Sequence, residues 1–282
     1  MGVLEDYGVI RAQGADAARF LQGQLSNDIT RVRSGGWTLA GLHNPQGRTV
    51  ALLRLTLQSA DNILAILPRE LAANVTTRLA RFVLRAKVKI TNESDAWRVV
   101  GLTRLAAEQL PPSAVHGAWG DGERTVALVP RDEADLAPID REAWRLQDIQ
   151  QGIAQVYAAT SEAFVAQMLN LDTLGGISFE KGCYTGQEVI ARAHYRGKVK
   201  RRMQRFRSAS PASLHAGDAG VLNDGRSFKV IDAVSLEDGR SEFLAVAPLV
   251  AGVRDEDSAA ATDAPTPLPA EQLPLPYSLE AG

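Results

Sequence analysis

The residues best suited to chemistry lie together in Lys181-Gly182-Cys183-Tyr184-Thr185-Gly186-Gln187-Glu188, which holds the only cysteine of the 282-residue chain. A thiol becomes a nucleophile or ligand as its thiolate, and a helix N-terminus or a nearby cation favours that form. The stretch offers both. Residues 177–179 read as a strand, and a helix is expected to begin near Gly186. Thr185 and Glu188 have the T-x-x-E spacing of a capping box. Val189, Ile190 and Ala193 then fall on one apolar helical face. Cys183 is thus expected just before a helix, two residues from the ammonium of Lys181. Gly182 and Gly186 permit a tight path and close approach of a ligand. Two readings of the cysteine stand side by side: a small buried apolar residue, or a reactive or ligand-facing thiol.

The elements that must position this octet can be read on either side of it. Residues 7–11 read as a strand. Asp16 is the expected N-cap of a helix that buries Ala17, Phe20, Leu21 and Leu25. His43-Asn44-Pro45-Gln46-Gly47-Arg48 is turn chemistry between two strands. The apolar runs 48–57 and 62–67, joined at Ser59-Ala60-Asp61, predict a hairpin. Pro68 suits the first turn of a helix carrying Leu71, Val75, Leu79 and Phe82 on its inner face. Strands are expected over 83–91, 97–102 and 125–130, with a short helix and a loop over 103–123. Asp140 is placed to cap a helix with Ala143, Leu146, Ile149 and Ile153 inward. Turns at Asn223-Asp224-Gly225 and Glu237-Asp238-Gly239 punctuate short strands in the 200–250 stretch, which suits a small β-barrel.

Composition sets outer limits. Apolar content of 45% and charged content of 23% suit a globular chain, and a net charge of −2 creates no global field toward nucleic acid or membrane. One cysteine rules out an internal disulfide and a Cys-cluster metal site. No apolar run reaches the length of a membrane span, and the first residues lack a signal-peptide pattern, so a cytoplasmic location is expected. From Val189 to Gly217 there is no acidic residue but eight cations: Arg192, Arg196, Lys198, Lys200, Arg201, Arg202, Arg205 and Arg207. Such a run is either a solvated face or a site for a polyanion, for which polyglutamate tails and RNA phosphates both qualify. Direct tRNA binding is therefore a possible partner mode, although no aromatic-interleaved RNA motif accompanies the run.

The octet, with Gly175-Gly176-Ile177-Ser178-Phe179 before it and Arg192-Ala193-His194-Tyr195-Arg196-Gly197-Lys198 after it, resembles the signature of the YgfZ family, folate-binding relatives of the glycine-cleavage T-protein. The 16–28 segment resembles the first helix of both families. The resemblance implies an α+β fold with three domains around a central channel and a C-terminal small β-barrel. The expected limits are 1–48 plus 140–199 for a discontinuous folate-binding domain, 49–139 for an inserted α+β domain, 200–250 for the barrel, and 251–282 for a proline-rich tail. Within the tail, 259–266 is expected to be a flexible linker, while 275–280 resembles the end of bacterial YgfZ proteins and can dock back.

The same resemblance implies tetrahydrofolate or another reduced folate as cofactor, and a role in assembling or repairing iron–sulfur clusters, with iron–sulfur enzymes or assembly proteins as partners and an indirect effect on tRNA modification. Cys183 and Lys181 become the functional pair. Gly182, Tyr184, Gly186, Gln187, Glu188, Gln150, Arg192 and Arg196 become the folate-contacting set, and no metal site is expected. The alternative is a folate-dependent aminomethyl-type transferase. T-proteins carry a catalytic aspartate shortly after the folate-facing loop, whereas Thr49, Val50, Ala51, Leu52 and Leu53 hold no carboxylate. Gln150 stands where T-proteins carry a pterin-contacting glutamate, and an amide supplies hydrogen bonds but no charge. Both departures argue against transferase chemistry.

Overall fold

The computed structural model describes residues 1–59, 61–133, 136–197, 199–250 and 267–279. Its elements run β1 (Gly2–Val3), β2 (Tyr7–Gln13), α1 (Ala17–Gln22), β3 (Thr38–His43), β4 (Thr49–Ser59), β5 (Asn62–Pro68), α2 (Arg69–Ala80), β6 (Lys89–Asn92), β7 (Trp97–Thr103), β8 (Val115–Trp119), β9 (Arg124–Pro130), α3 (Arg141–Gln150) and α4 (Gln187–Tyr195). The chain then continues through β10 (Arg201–Ser208), β11 (Ala219–Val221), β12 (Ser227–Ser235), β13 (Ser241–Pro248) and β14 (Ala270–Leu273). Three antiparallel sheets result, ordered β3-β4-β5-β2-β6, β1-β7-β9-β8 and β11-β12-β13-β10-β14.

The first sheet is the centre of the molecule, and the reason lies in β4 and β5. Both are nearly continuous apolar runs, the pattern of strands covered on both faces. Period-2 alternation sorts their side chains. Ile63, Ala65 and Leu67 face the main core with α1 and α2, whereas Leu64 and Ile66 face the second sheet through Trp97, Val99, Trp119 and Leu128. The third sheet joins the main core through Met203, Ile231, Leu244 and Val246. Its own interior is a cluster around Phe206, Phe228 and Phe243. Its edges meet at a parallel bridge between Leu222 and Leu268, where Leu268 donates to the Val221 carbonyl at 2.8 Å. The fold is α+β, with the sheet-rich third unit nearly closed upon itself.

Several local expectations are corrected. Residues 177–179 form no strand. The 83–91 strand shrinks to β6, and Phe82, beyond the end of α2, is 53% exposed. Asp16 precedes α1 without capping it, because its carboxylate accepts from the Lys87 backbone N–H at 2.7 Å. Ala143 is exposed, since α3 turns Trp144, Asp148 and Ile149 inward. Strand β8 occupies part of the stretch read as helix and loop. The cut at 48/49 falls within the β3–β4 hairpin, so strands on both sides of it share one sheet. The 259–266 linker lies outside the described residues. The tail beyond it does dock: β14 pairs with β10, and the Tyr277 hydroxyl donates to the Gly152 carbonyl at 2.8 Å.

Candidate functional site

The octet is an irregular loop fastened to the end of α1. Ser26 Oγ donates to the Gly176 carbonyl at 2.6 Å, and Asn27 Nδ2 donates to that of Gly175 at 2.7 Å. Lys181 completes the attachment. Its Nζ donates to the carbonyls of Gln22, Leu25 and Asn27 at 2.6, 2.6 and 2.8 Å. A helix C-terminus leaves carbonyls without intrahelical partners and carries partial negative charge, so a buried ammonium suits it. Burial lowers Lys181 to about 8, with Asp28 opposing the shift. The ammonium also stands 5.1 Å from the Tyr184 ring centroid. Sequence reading gave this cation the task of favouring the Cys183 thiolate; it is engaged with three carbonyls of α1 and the turn after it.

The expected capping box does not form. Gly186 occupies the N-cap of α4 in the left-handed region at φ +82, and no side chain caps the helix. Close packing leaves room only for glycine at this N-cap: a Cβ on Gly186 would stand 2.5 Å from the Asn44 carbonyl oxygen. Gln187 takes up a local acceptor role, its Oε1 receiving the Tyr184 backbone N–H at 3.3 Å. Glu188 is exposed on the first turn. Ile190 is buried, as its place on the apolar face requires, but Val189 is 40% exposed. Gly47 lies against Val189, so the octet and the 43–48 turn, far apart in sequence, are packed together.

Within this assembly Gly182 and Cys183 are exposed, and Tyr184 is buried with its ring 6.3 Å from that of His43. Burial pushes the Tyr184 phenol up to about 12 and His43 down to about 3. His43 Nε2 is buried without a partner, while its Nδ1 lies 3.3 Å from Thr49 Oγ1. Arg192 on α4 and Arg196 just after its end are exposed. Beside them Phe179 stacks on His194 at 3.8 Å between centroids. Gln150 is half-buried at the end of α3, and no hydrogen bond joins it to the octet among the described residues.

The basic run divides in two. Arg202 makes a bidentate pair with Asp172, both bonds 2.9 Å. Arg205 and Arg207 converge on buried Glu242. Arg201 donates to Ser227 Oγ at 2.9 Å. Arg192, Arg196 and Lys200 remain outward, and Lys198 lies outside the described residues. Half of the run is thus internal structure, which corrects the reading of one continuous polyanion face.

A buried polar cluster at the junction of the sheets escaped the sequence reading. Arg124 donates to Asp148 at 2.7 Å, and Trp119 Nε1 donates to the same oxygen at 3.0 Å. Arg54 lies over the Trp119 ring at 4.2 Å, and Arg124 over Trp144 at 4.5 Å. Tyr157 and Arg145 both donate to Asp232 of the third sheet, tying it to α3. Burial raises the Asp148 carboxyl against the pull of Arg124, Trp119 and Arg54, and lowers the Arg54 guanidinium. Arg54 Nη1, Trp144 Nε1 and Gln155 Nε2 are buried donors without acceptors. The available signal was an arginine inside the apolar run of β4 and an aspartate one turn from Trp144.

Two cavities, of about 330 and 160 Å³, are both lined by Val3, Leu4 and Tyr7 and neither by an octet residue; only the smaller touches this cluster, through Trp144 and Arg145. Among the described residues no group of three or more His, Cys, Asp or Glu could hold a metal ion. Among the described residues no helix is long and apolar enough to cross a membrane.

No protein-family model matches the chain. The "tRNA-modifying protein YgfZ" of Edwardsiella ictaluri is 31% identical over 95% of this chain and 92% of that protein. The chain belongs to the YgfZ family. The YgfZ protein of Enterobacter sp. strain 638 is 29% identical over 98% of this chain and 93% of that one. An uncharacterized Haemophilus influenzae protein is 33% identical over 76% and 75%. Among solved structures, the glycine cleavage system aminomethyltransferase T of Bartonella henselae superposes with a TM-score of 0.67 at 12% identity, covering 88% of this chain and 77% of that one. That likeness shows the fold, in which this YgfZ-family chain shares the aminomethyltransferase arrangement.

Proposed function

We propose that this YgfZ-family protein is a folate-binding accessory protein for iron–sulfur cluster assembly or repair, supporting tRNA modification indirectly through iron–sulfur enzymes. The observation that carries the reading is the docking of the 181–188 loop, with its exposed sulfur, on the 43–48 turn. The strand after that turn has no carboxylate, so the aspartate of aminomethyl transfer has no counterpart at 49–53.

Unpartnered donors at the junction of the sheets support the folate reading. A pteridine and its amide carry many acceptors, and Arg54 Nη1, Trp144 Nε1 and Gln155 Nε2 are buried donors lacking them. When bound, a reduced folate would supply a one-carbon acceptor or donor. The protein's own part would be to bind and orient it, exclude water with the Trp119 and Trp144 rings, and present the Cys183 thiol from the loop.

Calorimetry with tetrahydrofolate tests the binding. Ligand at about 100 times its dissociation constant should stabilise the fold by roughly 2.7 kcal/mol. No heat and no melting shift at high concentration would end the folate reading. Cys183→Ser tests the thiol. The side chain is exposed, so melting should stay within about 0.5 kcal/mol of the parent, while complementation of an iron–sulfur enzyme defect is lost. A folded, fully complementing variant would refute a functional thiol. Turnover with aminomethyl donors, if seen, would favour the transferase.

A further inference from the structure

From Leu71 to Asn92 the chain has no acidic residue and five cations: Arg78, Arg81, Arg85, Lys87 and Lys89. Arg78 is paired with Glu162 at 2.7 Å. The side chains of the other four make no ion pair or hydrogen bond among the described residues. Between them stand Phe82, 53% exposed, and Leu84, 87% exposed. Beside Phe82 a groove of about 590 Å³ runs along α2, lined by Ala73, Asn74, Thr77, Arg78, Arg81 and Phe82.

The loop is held in place. Val83, Ala86 and Val88 pack against the main core. Asp16 accepts the Lys87 backbone N–H at 2.7 Å, and its own backbone N–H donates back to the Lys87 carbonyl at 3.2 Å. The inward residues therefore fix the outward ones, and the display of Phe82, Leu84, Arg85 and Lys87 is preorganised. Preorganised side chains lose less entropy on binding.

We propose that this loop and the groove along α2 form a docking surface for an acidic protein segment with apolar anchors. Charge complementarity selects the acidic partner, since four free cations on a protein of net charge −2 make a strong local field. The apolar groups select protein over nucleic acid. Strand-binding surfaces stack bases on several aromatic rings, whereas this one offers a single ring, an aliphatic side chain and a groove sized for side chains. Bulky apolar residues ringed by cations match the centre and rim of a peptide-binding surface. The surface is independent of the folate reading.

Fluorescence anisotropy would test it with a fluorescein-labelled peptide of about 15 residues, Glu and Asp with Leu and Phe at helical i/i+4 spacing, and with labelled poly-uridine as the nucleic-acid probe. The variants are Leu84→Ser and the double Arg81→Glu/Arg85→Glu, all at exposed positions, with melting curves as the folding control. The peptide should bind the parent protein, and each variant should weaken it roughly tenfold or more. No peptide binding, or equal binding by the parent and either variant, would overturn the proposal. So would poly-uridine binding stronger than the peptide's that charge reversal abolishes and Leu84→Ser leaves intact, because that pattern marks a nucleic-acid surface.

Discussion

Two basic stretches of this protein meet opposite fates. In β10, a strand between two others, Arg205 and Arg207 flank Phe206 while Arg202 lies on the opposite face, and the fold delivers Asp172 and Glu242 to their guanidinium groups. From the end of α2 to the start of β6, Arg81, Arg85, Lys87 and Lys89 are as closely spaced, and no carboxylate pairs with their side chains among the described residues. Local charge density is similar in the two. What differs is the neighbouring strand. Arg207 stands opposite Glu242 in the β10–β13 register, so pairing is set by long-range geometry. A charge run therefore cannot be assigned to a binding face until its cross-strand partners are known.

The sharpest way to break the comparison is to remove the shared partner. Glu242 is fully buried and holds two arginines. Glu242→Gln should cost about 3–5 kcal/mol, because partly buried cations would lose their counter-charge. Urea titration would measure this, and a loss below about 0.5 kcal/mol would place the pair with ordinary surface contacts.

Lys181 is an intermediate case, a cation satisfied by carbonyls rather than carboxylates. Lys181→Met should cost about 1–3 kcal/mol through the unsatisfied acceptors. The difference between parent and variant should also depend on pH. Burial lowers the folded-state value to about 8 from the ordinary 10.5. Between these values the unfolded chain binds more protons than the folded one, so this group's contribution should rise with pH across that window and level off on either side. Urea titrations of both proteins from pH 7 upward (roughly, to pH 10) would test the sign. A difference that falls with pH would mean that the hydrogen bonds to the charged form outweigh its burial.

The smallest effect is expected in the loop. Arg85→Glu should change stability by no more than about 0.5 kcal/mol, since its side chain is exposed and unpaired. A large loss would show that the loop's charges are internal structure after all, like those of β10.

Much of the fold was legible in the sequence. The β4–β5 hairpin, the start of α2 and the Asp140 cap of α3 all follow from local pattern: apolar runs, Pro68 at a helix start, and a side-chain acceptor three residues before an N–H; the docking of the tail followed from the family resemblance instead. Capping was read correctly at Asp140, where Oδ1 accepts from Ala143 N at 3.0 Å, but wrongly at Thr185. The two sequences have equally good spacing. Gly186, not Thr185, is the N-cap of α4, in a left-handed conformation packed so closely on the Asn44 carbonyl that no side chain would fit, and nothing within the octet announces a carbonyl from residue 44.

The sequence by itself determined which residues are rare, which positions turn, and where apolar faces lie. It thereby marked the octet and the 43–48 turn as the stretches to watch. Tertiary structure alone decided that these two pack together, that Lys181 binds the end of α1, that three arginines of the basic run are neutralised, and that Arg54, Arg124 and Asp148 share a buried junction. The physical reason is range. Periodicity and turn preference act over a few residues and leave their mark in the local chain. The partners of a buried charge come from segments 30 to 160 positions away, as for Arg202 with Asp172 and Lys181 with Gln22, and are fixed only when the fold is assembled.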